Sequence, residues 1–425
     1  MRSESSQGWQ PVLLAELIDQ GGLLVSDGYR AKNAELGERG LPFARAGNIR
    51  DGFRLEEADL LAPQSVERAG AKIAMPDDVV FTSKGTVGRF AFVRPSTPTF
   101  VYSPQLCFWR ALDRTMVEPR FLFFWMQGHE CSRQFDSLKG QTDMADYISL
   151  RDQRTIWISL PPVDEQRQIA AVLGALDDKI DSNRRLAALL EQAAAELFRA
   201  WFVDFVGVEE FEDSEIGRIP RGWWCGVLSD VVEVTMGQSP PGASYTDDPD
   251  AGLLLVQGMG GLGVRYPTSA VYTVAPTRRA RAGDTLMTVR APVGSVNVAR
   301  TDVCLGRGVA GIASESPAFA EFLIRALTSR WASEESGTIF PAVNRAQVLG
   351  LRIVVPPPAM IAEFEALATP LVNNLTTLHD ETESLVRVRD ALLPKLISGA
   401  IRVPDKSDPA EAIERVREQL APTQR

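Results

Sequence analysis

Two short segments combine a basic residue with the small residues of a tight turn. The first is Lys84-Gly85-Thr86-Val87-Gly88, and the second is Arg290-Ala291-Pro292-Val293-Gly294. Small residues let the backbone approach a phosphate closely, while the cation neutralises the phosphate charge. Lys84, Thr86 and Arg290 are therefore candidate DNA contacts. An ordinary hairpin turn with a solvated cation explains the same residues, and the sequence leaves both interpretations open.

Two further segments have side chains suited to nucleic acid. Arginine matches guanine and asparagine matches adenine in the major groove, which makes candidates of Arg45, Asn48 and Arg50 in one predicted loop. The densest basic cluster is suited to phosphates, and it consists of Arg278, Arg279 and Arg281. A polar loop and a solvated surface are equally good explanations of these two segments.

The residues needed for catalysis are missing. The chain has 4 cysteines and 2 histidines without metal-type spacing, which argues against a zinc site. It has no Walker A lysine and no Asn/Asp-Pro-Pro-aromatic motif. A nuclease pair at Asp177 and Lys179, with Asp77 as companion, is the weaker alternative, since a charge run on a helix is usually a solvated face. We therefore expect a non-enzymatic protein without cofactors or metals.

Composition indicates an ordinary globular protein. The chain has 425 residues, 45% of them apolar and 24% charged, with no apolar run long enough for a membrane helix and no signal-peptide pattern at its start. These features, with thiols expected to be buried, predict a cytoplasmic protein that makes no membrane contact. The net charge is −10, yet residues 1–157 carry 19 basic and 20 acidic side chains, and residues 213–355 carry 13 of each. Because these segments are near neutral, we expect DNA affinity to need a partner subunit.

The chain is an internal duplication with a period of about 200 residues. Gly8-Trp9 recurs as Gly222-Trp223, and the segment containing Lys84 aligns with the one containing Arg290. The loop Arg45-Ala46-Gly47-Asn48 corresponds to Gln257-Gly258-Met259-Gly260, which makes Gln257 a candidate contact. Repeats of this length indicate duplicated domains.

Each copy is followed by a long helix. From Asp164 to Asp204, apolar residues recur in steps of mostly three and four, as in a coiled-coil seam that includes Leu186 and is interrupted by Asn183. The second helix has the same rhythm, and Pro370 and Pro394 are expected to kink or frame it. The aromatic residues Phe198, Trp201 and Phe202 are better explained by packing than by a ligand site.

The fold class expected is α/β of the mixed α+β kind. Two globular domains are separated by two long antiparallel coiled-coil helices, with a pseudo-twofold internal repeat. The predicted boundaries are a first globular domain at 1–158, a central helix at 159–206, a second globular domain at 207–355, a second helix at 356–402 and a tail at 403–425.

The segment from Leu160 to Phe205 resembles the central region of type I restriction–modification specificity subunits. The run DALLPKLISGAIRV resembles the end of their second helix, and SKGTVG resembles their target-recognition domains. The resemblance covers about residues 8–403. One departure is Met360-Ile361, where the first copy has Glu165-Gln166.

This resemblance implies a specificity subunit that recognises a bipartite, asymmetric DNA target. Its implied partners are double-stranded DNA, two methyltransferase subunits and two restriction/translocase subunits. The family places DNA-facing loops before the last strand of each copy, which adds the candidates Lys139, Gln141, Thr142, Thr338, Asn344 and Arg345. One alternative is a specificity subunit that works with a methyltransferase alone. The other is a coiled-coil scaffold that joins two protein- or ligand-binding domains without DNA specificity.

Overall fold

The computed structural model describes residues 9–50, 52–139, 146–332 and 342–403. Gln141, Thr142 and Thr338 lie outside these ranges. Two compact units are present, and each is continuous with one half of both long helices. Among the described residues, unit 1 contains those up to Ser182 together with those from Glu381 onward, and unit 2 contains those between Asn183 and Asp380.

Unit 1 is built from ten strands and five short helices. The strands are β1 (Gln10–Leu13), β2 (Leu23–Asp27), β3 (Leu36–Gly37), β4 (Leu41–Ala44), β5 (Asp59–Leu61), β6 (Val79–Thr82), β7 (Phe90–Phe92), β8 (Val101–Tyr102), β9 (Leu106–Ala111) and β10 (Trp157–Leu160). The helices are α1 (Leu14–Asp19), α2 (Pro63–Ala69), α3 (Pro119–Met126), α4 (His129–Leu138) and α5 (Leu150–Gln153). The first part of the long helix α6 (Val163–Phe202) completes this unit.

Two four-stranded sheets form the centre of unit 1, with strand orders β2-β9-β6-β7 and β3-β5-β4-β8. Side chains alternate between the faces of a strand, and in β6 this alternation serves two cores. Val79 and Phe81 pack in the core that also contains α3 and α4. Val80 packs in the other core with Phe108. Burial of both faces explains why β6 has the apolar run Val-Val-Phe.

Unit 2 repeats this plan with thirteen strands. They are β11 (Phe211–Ser214), β12 (Gly217–Pro220), β13 (Trp224–Val227), β14 (Glu233–Met236), β15 (Tyr245–Thr246), β16 (Leu253–Val256), β17 (Tyr272–Thr273), β18 (Arg279–Ala280), β19 (Thr285–Thr288), β20 (Val296–Val298), β21 (Val303–Leu305), β22 (Val309–Ala313) and β23 (Arg352–Val355). Its helices are the second part of α6, α7 (Pro317–Ala332), α8 (Arg345–Leu349) and the first part of α9 (Pro358–Ile397).

The sheets of unit 2 match those of unit 1. The order β14-β22-β19-β20 corresponds to β2-β9-β6-β7, and β15-β17-β16-β21 corresponds to β3-β5-β4-β8, with β18 added at the edge. In both second sheets one strand pair is parallel, β4 with β8 and β16 with β21. The internal duplication inferred from sequence is therefore present in the topology, and the mixed α/β fold class is confirmed.

The long helices begin where the sequence predicts. Helix α6 starts directly after Pro161-Pro162 with Asp164 and Glu165 in its first turn, where the helix dipole favours acidic side chains. Two details differ from expectation. Leu186 is 46% exposed, whereas Ile180 is buried. Six residues of α-helix rotate by about 600°, which is about 120° short of two full turns. Leu186 therefore points about 120° away from the buried face that contains Ile180. The sequence predicts that Pro370 and Pro394 kink or frame α9; because the helix continues through both residues, the framing alternative is wrong and the kink stays a prediction.

The proline cost in α9 is offset by its apolar face. A proline inside a helix costs about 3 kcal/mol, whereas buried side chains of α9 contribute to the cores of both units. The fully buried residues of this face include Phe364, Ala368, Leu392 and Leu396. Tertiary burial of one face is the usual source of helix stability in proteins.

Two other expectations concern burial and membranes. Three of the cysteines, Cys107, Cys131 and Cys304, are buried as expected, but Cys225 is partly exposed. It lies on the edge strand β13, which pairs only with β23 among the described strands. Within the described ranges, no helix is both long enough and apolar enough to cross a membrane.

Candidate nucleic-acid interface

The turn that carries Lys84 connects β6 to β7. Thr82 Oγ1 donates a hydrogen bond to the Thr86 carbonyl at 2.5 Å and accepts one from the Arg89 N–H at 3.0 Å. Lys84 also forms an isolated antiparallel bridge with Tyr147. These contacts fix the backbone of the turn and leave the side chains of Lys84 and Thr86 exposed.

The turn that carries Arg290 has the same construction between β19 and β20. Thr288 Oγ1 donates to the Pro292 carbonyl at 2.6 Å and accepts from the Ser295 N–H at 2.9 Å. Arg290 bridges Ala342, and its side chain is exposed. The turns end in Gly88 and Gly294, whose φ angles of +96° and +92° lie in the region that favours glycine.

The loop after β4 carries the first group of predicted base contacts. Arg45 and Arg50 are exposed, and the Arg45 Nη2 atom lies 2.7 Å from Asp59 Oδ2. Asn48 is only 9% exposed. Its Oδ1 accepts from the Arg45 N–H at 2.8 Å and its Nδ2 donates to the Arg54 carbonyl at 3.0 Å. In this structure Asn48 holds the loop, while the two arginines face solvent.

This loop and the Lys84 turn form one surface. Arg89 Nη1 donates to the Ala46 carbonyl at 3.5 Å, and the Ala46 N–H donates to Gln105 Oε1 at 3.1 Å. Arg50 and Arg89 line a shallow pocket together with Ile49 and Phe90. Sequence analysis missed Arg89, although its place directly after the glycine that ends the turn was a usable signal.

Lys139 lies beside the same turn. Its Nζ is 3.0 Å from Asp136 Oδ1 and 3.9 Å from the position a Cβ atom on Gly88 would occupy. The structure thus places Lys139 beside the turn that carries Lys84 and Arg89.

In unit 2 the equivalent loop follows β16. Gln257 is exposed, and its Nε2 donates to Tyr245 Oη at 3.0 Å. Its carbonyl accepts from the Gly308 N–H at 3.0 Å, next to Arg307. Arg307 is exposed, and its Nε donates to Ser239 Oγ at 3.2 Å. Sequence analysis missed Arg307, although a lone arginine between Gly306 and Gly308 resembles the cation-and-glycine pattern of the turns.

The basic cluster of Arg278, Arg279 and Arg281 spans the short edge strand β18. The Arg278 carbonyl accepts from the Leu305 N–H at 2.8 Å, near the Gln257 loop. The Arg281 N–H donates instead to Asp284 Oδ2 at 2.8 Å, beyond the other end of β18. All three arginines are exposed, and Arg278 and Arg279 lie beside the strand that ends at Leu305, two residues before Arg307.

Asn344 and Arg345 follow the bridge residue of the Arg290 turn. The Val343 N–H donates to the Val289 carbonyl at 2.9 Å, which places both residues beside the turn. Asn344 Oδ1 accepts from the Gln347 N–H at 3.0 Å and caps α8. Arg345 Nε donates to the Val234 carbonyl at 3.2 Å. Both side chains therefore have structural contacts within unit 2.

The chain is similar to proteins of type I restriction enzymes. Residues 7–192 match the model of the type I restriction modification DNA specificity domain. The chain is 27% identical over 77% of its length to a putative type I restriction enzyme specificity subunit, MjaX, from Methanocaldococcus jannaschii, covering 79% of that protein. The MjaIX specificity subunit of the same organism is 23% identical, with 81% and 82% of the two chains covered.

The chain is thus similar to type I restriction enzyme specificity subunits. A solved structure supports the fold: the type I restriction–modification S subunit from M. genitalium has a TM-score of 0.59 and 12% identity, with 96% of this chain and 99% of that chain covered.

The aromatic end of α6 packs within the core of unit 2. Phe198 is 2% exposed. Its ring lies 5.6 Å from the rings of Phe319 and Phe364, and Phe202 lies 5.5 Å from Phe364. The preference for packing over a ligand site is confirmed.

The acidic residues of α6 in unit 1 form ion pairs with arginines. Arg94 Nη2 lies 2.7 Å from Asp177 Oδ2, and Arg120 Nη1 donates to Asp178 Oδ2 at 2.7 Å. Burial acts to raise the pKa of Asp178, but hydrogen bonds and charge from Arg120 and Arg94 hold it below its usual value. The Lys179 Nζ atom lies 3.4 Å from Glu381 Oε1. These ion pairs give both residues structural partners, which argues against a nuclease pair. The side chain of Asp177 is only 17% exposed, so the expectation of a solvated helix face is wrong for this residue. No cluster of three metal-ligating side chains occurs in the described part of the chain.

Proposed function

We propose that this chain is the DNA-specificity subunit of a type I restriction–modification system. It recognises a bipartite, asymmetric double-stranded target and holds two adenine methyltransferase subunits and two restriction/translocase subunits, and it has no catalytic role itself. The observation that carries the proposal is the cationic turn, which has the same hydrogen bonds at Thr82 and at Thr288, once in each compact unit.

In this proposal, the two DNA-recognition domains are residues 1–158 and 207–355. The helical segments 159–206 and 356–402 hold these domains and bind the partner subunits. Supporting this, the exposed cations of each unit lie on loops of the sheets: Lys84 and Arg89 in unit 1, Arg290 and Arg307 in unit 2. Loops positioned by a rigid framework commonly carry binding residues. Phosphate contacts from these cations would set the register on the duplex.

The two units would recognise different half-sites. The loop after β4 presents Arg45 and Arg50, whereas the loop after β16 presents Gln257. Arginine pairs with guanine, whereas glutamine pairs with adenine. Different side chains on equivalent loops therefore predict an asymmetric target.

The low net charge of the two DNA-recognition domains explains why DNA binding would need the methyltransferase subunits. Affinity for DNA depends on neutralising phosphates, and a few cations in each unit supply a modest share of it. Methyltransferase subunits that enclose the same duplex would provide the rest. Dependence of DNA binding on that subunit is thus part of the proposal.

The test is methylome sequencing of cells that express the chain with an adenine methyltransferase subunit. The expected result is methylation at one interrupted target with two unlike half-sites. A palindromic or continuous target, or no specific target, would reject the proposal. Adding the restriction subunit and measuring cleavage of unmethylated target then separates a full restriction system from a methyltransferase-only one.

A further inference from the structure

The loop after β16 has a chemistry that its counterpart in unit 1 lacks. Both loops start at the same place, because the Ser103 N–H donates to the Ala44 carbonyl at 2.9 Å and the Gly306 N–H donates to the Val256 carbonyl at 2.8 Å. The unit 1 loop presents exposed arginines. The unit 2 loop presents Gln257 and Met259, and Met259 is 50% exposed.

Met259 lies between Gly258 and Gly260, and the structure of unit 2 does not require glycine at either position. Gly258 has a φ of 169°, which is extended backbone open to any residue, and Gly260 is not among the positive-φ glycines. A Cβ atom at either position would meet nothing within 4 Å. Since neither conformation nor packing requires glycine here, the bare backbone matches close approach by an outside ligand.

The Gln257 side chain is held in one orientation. It lies against Gly306, where a Cβ atom would come within 3.0 Å of Gln257 Cγ. Its Nε2 donates one hydrogen bond to Tyr245 Oη at 3.0 Å. One N–H and the Oε1 atom remain, which is the donor–acceptor pair that adenine N7 and N6 require in the major groove.

We infer that Gln257 recognises an adenine and that Met259 contacts the C5-methyl group of a thymine, so that the second recognition domain selects A·T pairs at neighbouring positions. The inference rests on the proposed function and names the bases involved. A flexible, polarisable thioether suits an apolar contact of this kind, and thymine is the base that offers a methyl group in the major groove.

The experiment uses the full-length chain in complex with its methyltransferase. It measures binding to synthetic duplexes that contain the target sequence identified by methylome sequencing. Each thymine is replaced in turn by deoxyuridine, which lacks only the methyl group, and each adenine by 7-deazaadenine, which lacks only N7. In one half-site, one deoxyuridine should weaken binding about fourfold, as removal of one buried methyl group predicts.

Matched variants assign the effects to residues. Met259→Ala should abolish the deoxyuridine effect and Met259→Leu should keep it, while Gln257→Ala should abolish the 7-deazaadenine effect. Responses in the other half-site should be the same for all proteins. Two outcomes would overturn this inference alone. In the first, a specific target exists but no base replacement changes the binding affinity; in the second, the protein variants keep both base-replacement effects. Absence of any specific target would instead overturn the proposed function.

Discussion

Arg265 and Glu321 form a bidentate ion pair that is almost completely buried in unit 2. The Nη1–Oε1 distance is 2.6 Å and the Nη2–Oε2 distance is 2.7 Å, with side chains 7% and 3% exposed. Glu191 of α6 accepts a further hydrogen bond from Arg265 at 2.9 Å. Burial acts to lower the pKa of Arg265, but the charge and hydrogen bonds of Glu321 raise it above its usual value. The pair therefore joins the loop before β17 to α7 as a charged unit.

Glu321→Ala should destabilise unit 2 by about 3–5 kcal/mol, because it leaves a buried guanidinium without its main partner. Denaturant unfolding of the full-length chain measures this, with the transition of each unit followed separately. The control is Glu210→Ala, which removes the exposed pair with Arg221, where both side chains are 70% exposed. That change should cost at most about 1 kcal/mol. Equal effects of the two variants would show that the Arg265 pair is not a stabilising contact.

This pair illustrates what the sequence could and could not predict. Glu321 lies on α7, where the segment FAEFLIRALTS has apolar residues at helical spacing. Its partner is 56 residues away, and no local pattern links them. Periodicity likewise located α6 and α9, whose bounds depend on local capping and burial. It missed short strands such as β3 and β8, since two residues are too few for an alternating pattern.

The candidate interface was predictable to a similar extent. Glycine-bounded cations identified the turns at Lys84 and Arg290, because turn geometry is a local property. The role of Asn48 was not predictable. Whether its amide faces solvent or caps its own loop depends on the burial of that loop against Phe100, which is distant in sequence.

Asp178 predicts an acid-dependent part of the stability of unit 1. Its pKa in the folded protein is below its usual value, while the unfolded value is about 3.9. The stabilisation is therefore complete above the unfolded pKa and is lost as the pH falls through the folded pKa. Because the side chain is 50% exposed, the contribution at neutral pH should stay below about 1 kcal/mol.

The measurement compares the unfolding free energy of the wild type and Asp178→Asn between about pH 3 and pH 7. The variant should be less stable at neutral pH, and the difference should shrink on acidification below about pH 4. Glu57→Gln changes an exposed carboxylate and serves as control, with no such convergence expected. A difference that stays constant with pH would contradict the role given to the Asp178 carboxylate.

Asn48 and Arg50 should separate loop stability from base recognition. Asn48→Ala removes two hydrogen bonds of a buried amide and should cost about 1–3 kcal/mol. Arg50→Ala should leave stability within about 0.5 kcal/mol, because its side chain is exposed. It should instead relax base preference in one half-site, measured by binding to libraries randomised there. If Asn48→Ala changed specificity without loss of stability, the amide would be a base contact after all.

Lys84 and Arg290 should act as phosphate contacts that carry no base information. Lys84→Glu or Arg290→Glu should then weaken binding of the methyltransferase complex to specific and non-specific DNA alike. The slope of log binding constant against log salt concentration should fall in magnitude by about 0.9 for each phosphate that is no longer neutralised. Arg221→Ala removes an exposed arginine that pairs with Glu210, so it should leave both affinity and slope unchanged. An unchanged slope for both turn variants would make the turns simple hairpins with solvated cations. Weaker binding confined to the specific target would instead make these residues base contacts, because only phosphate contacts weaken binding to every sequence equally.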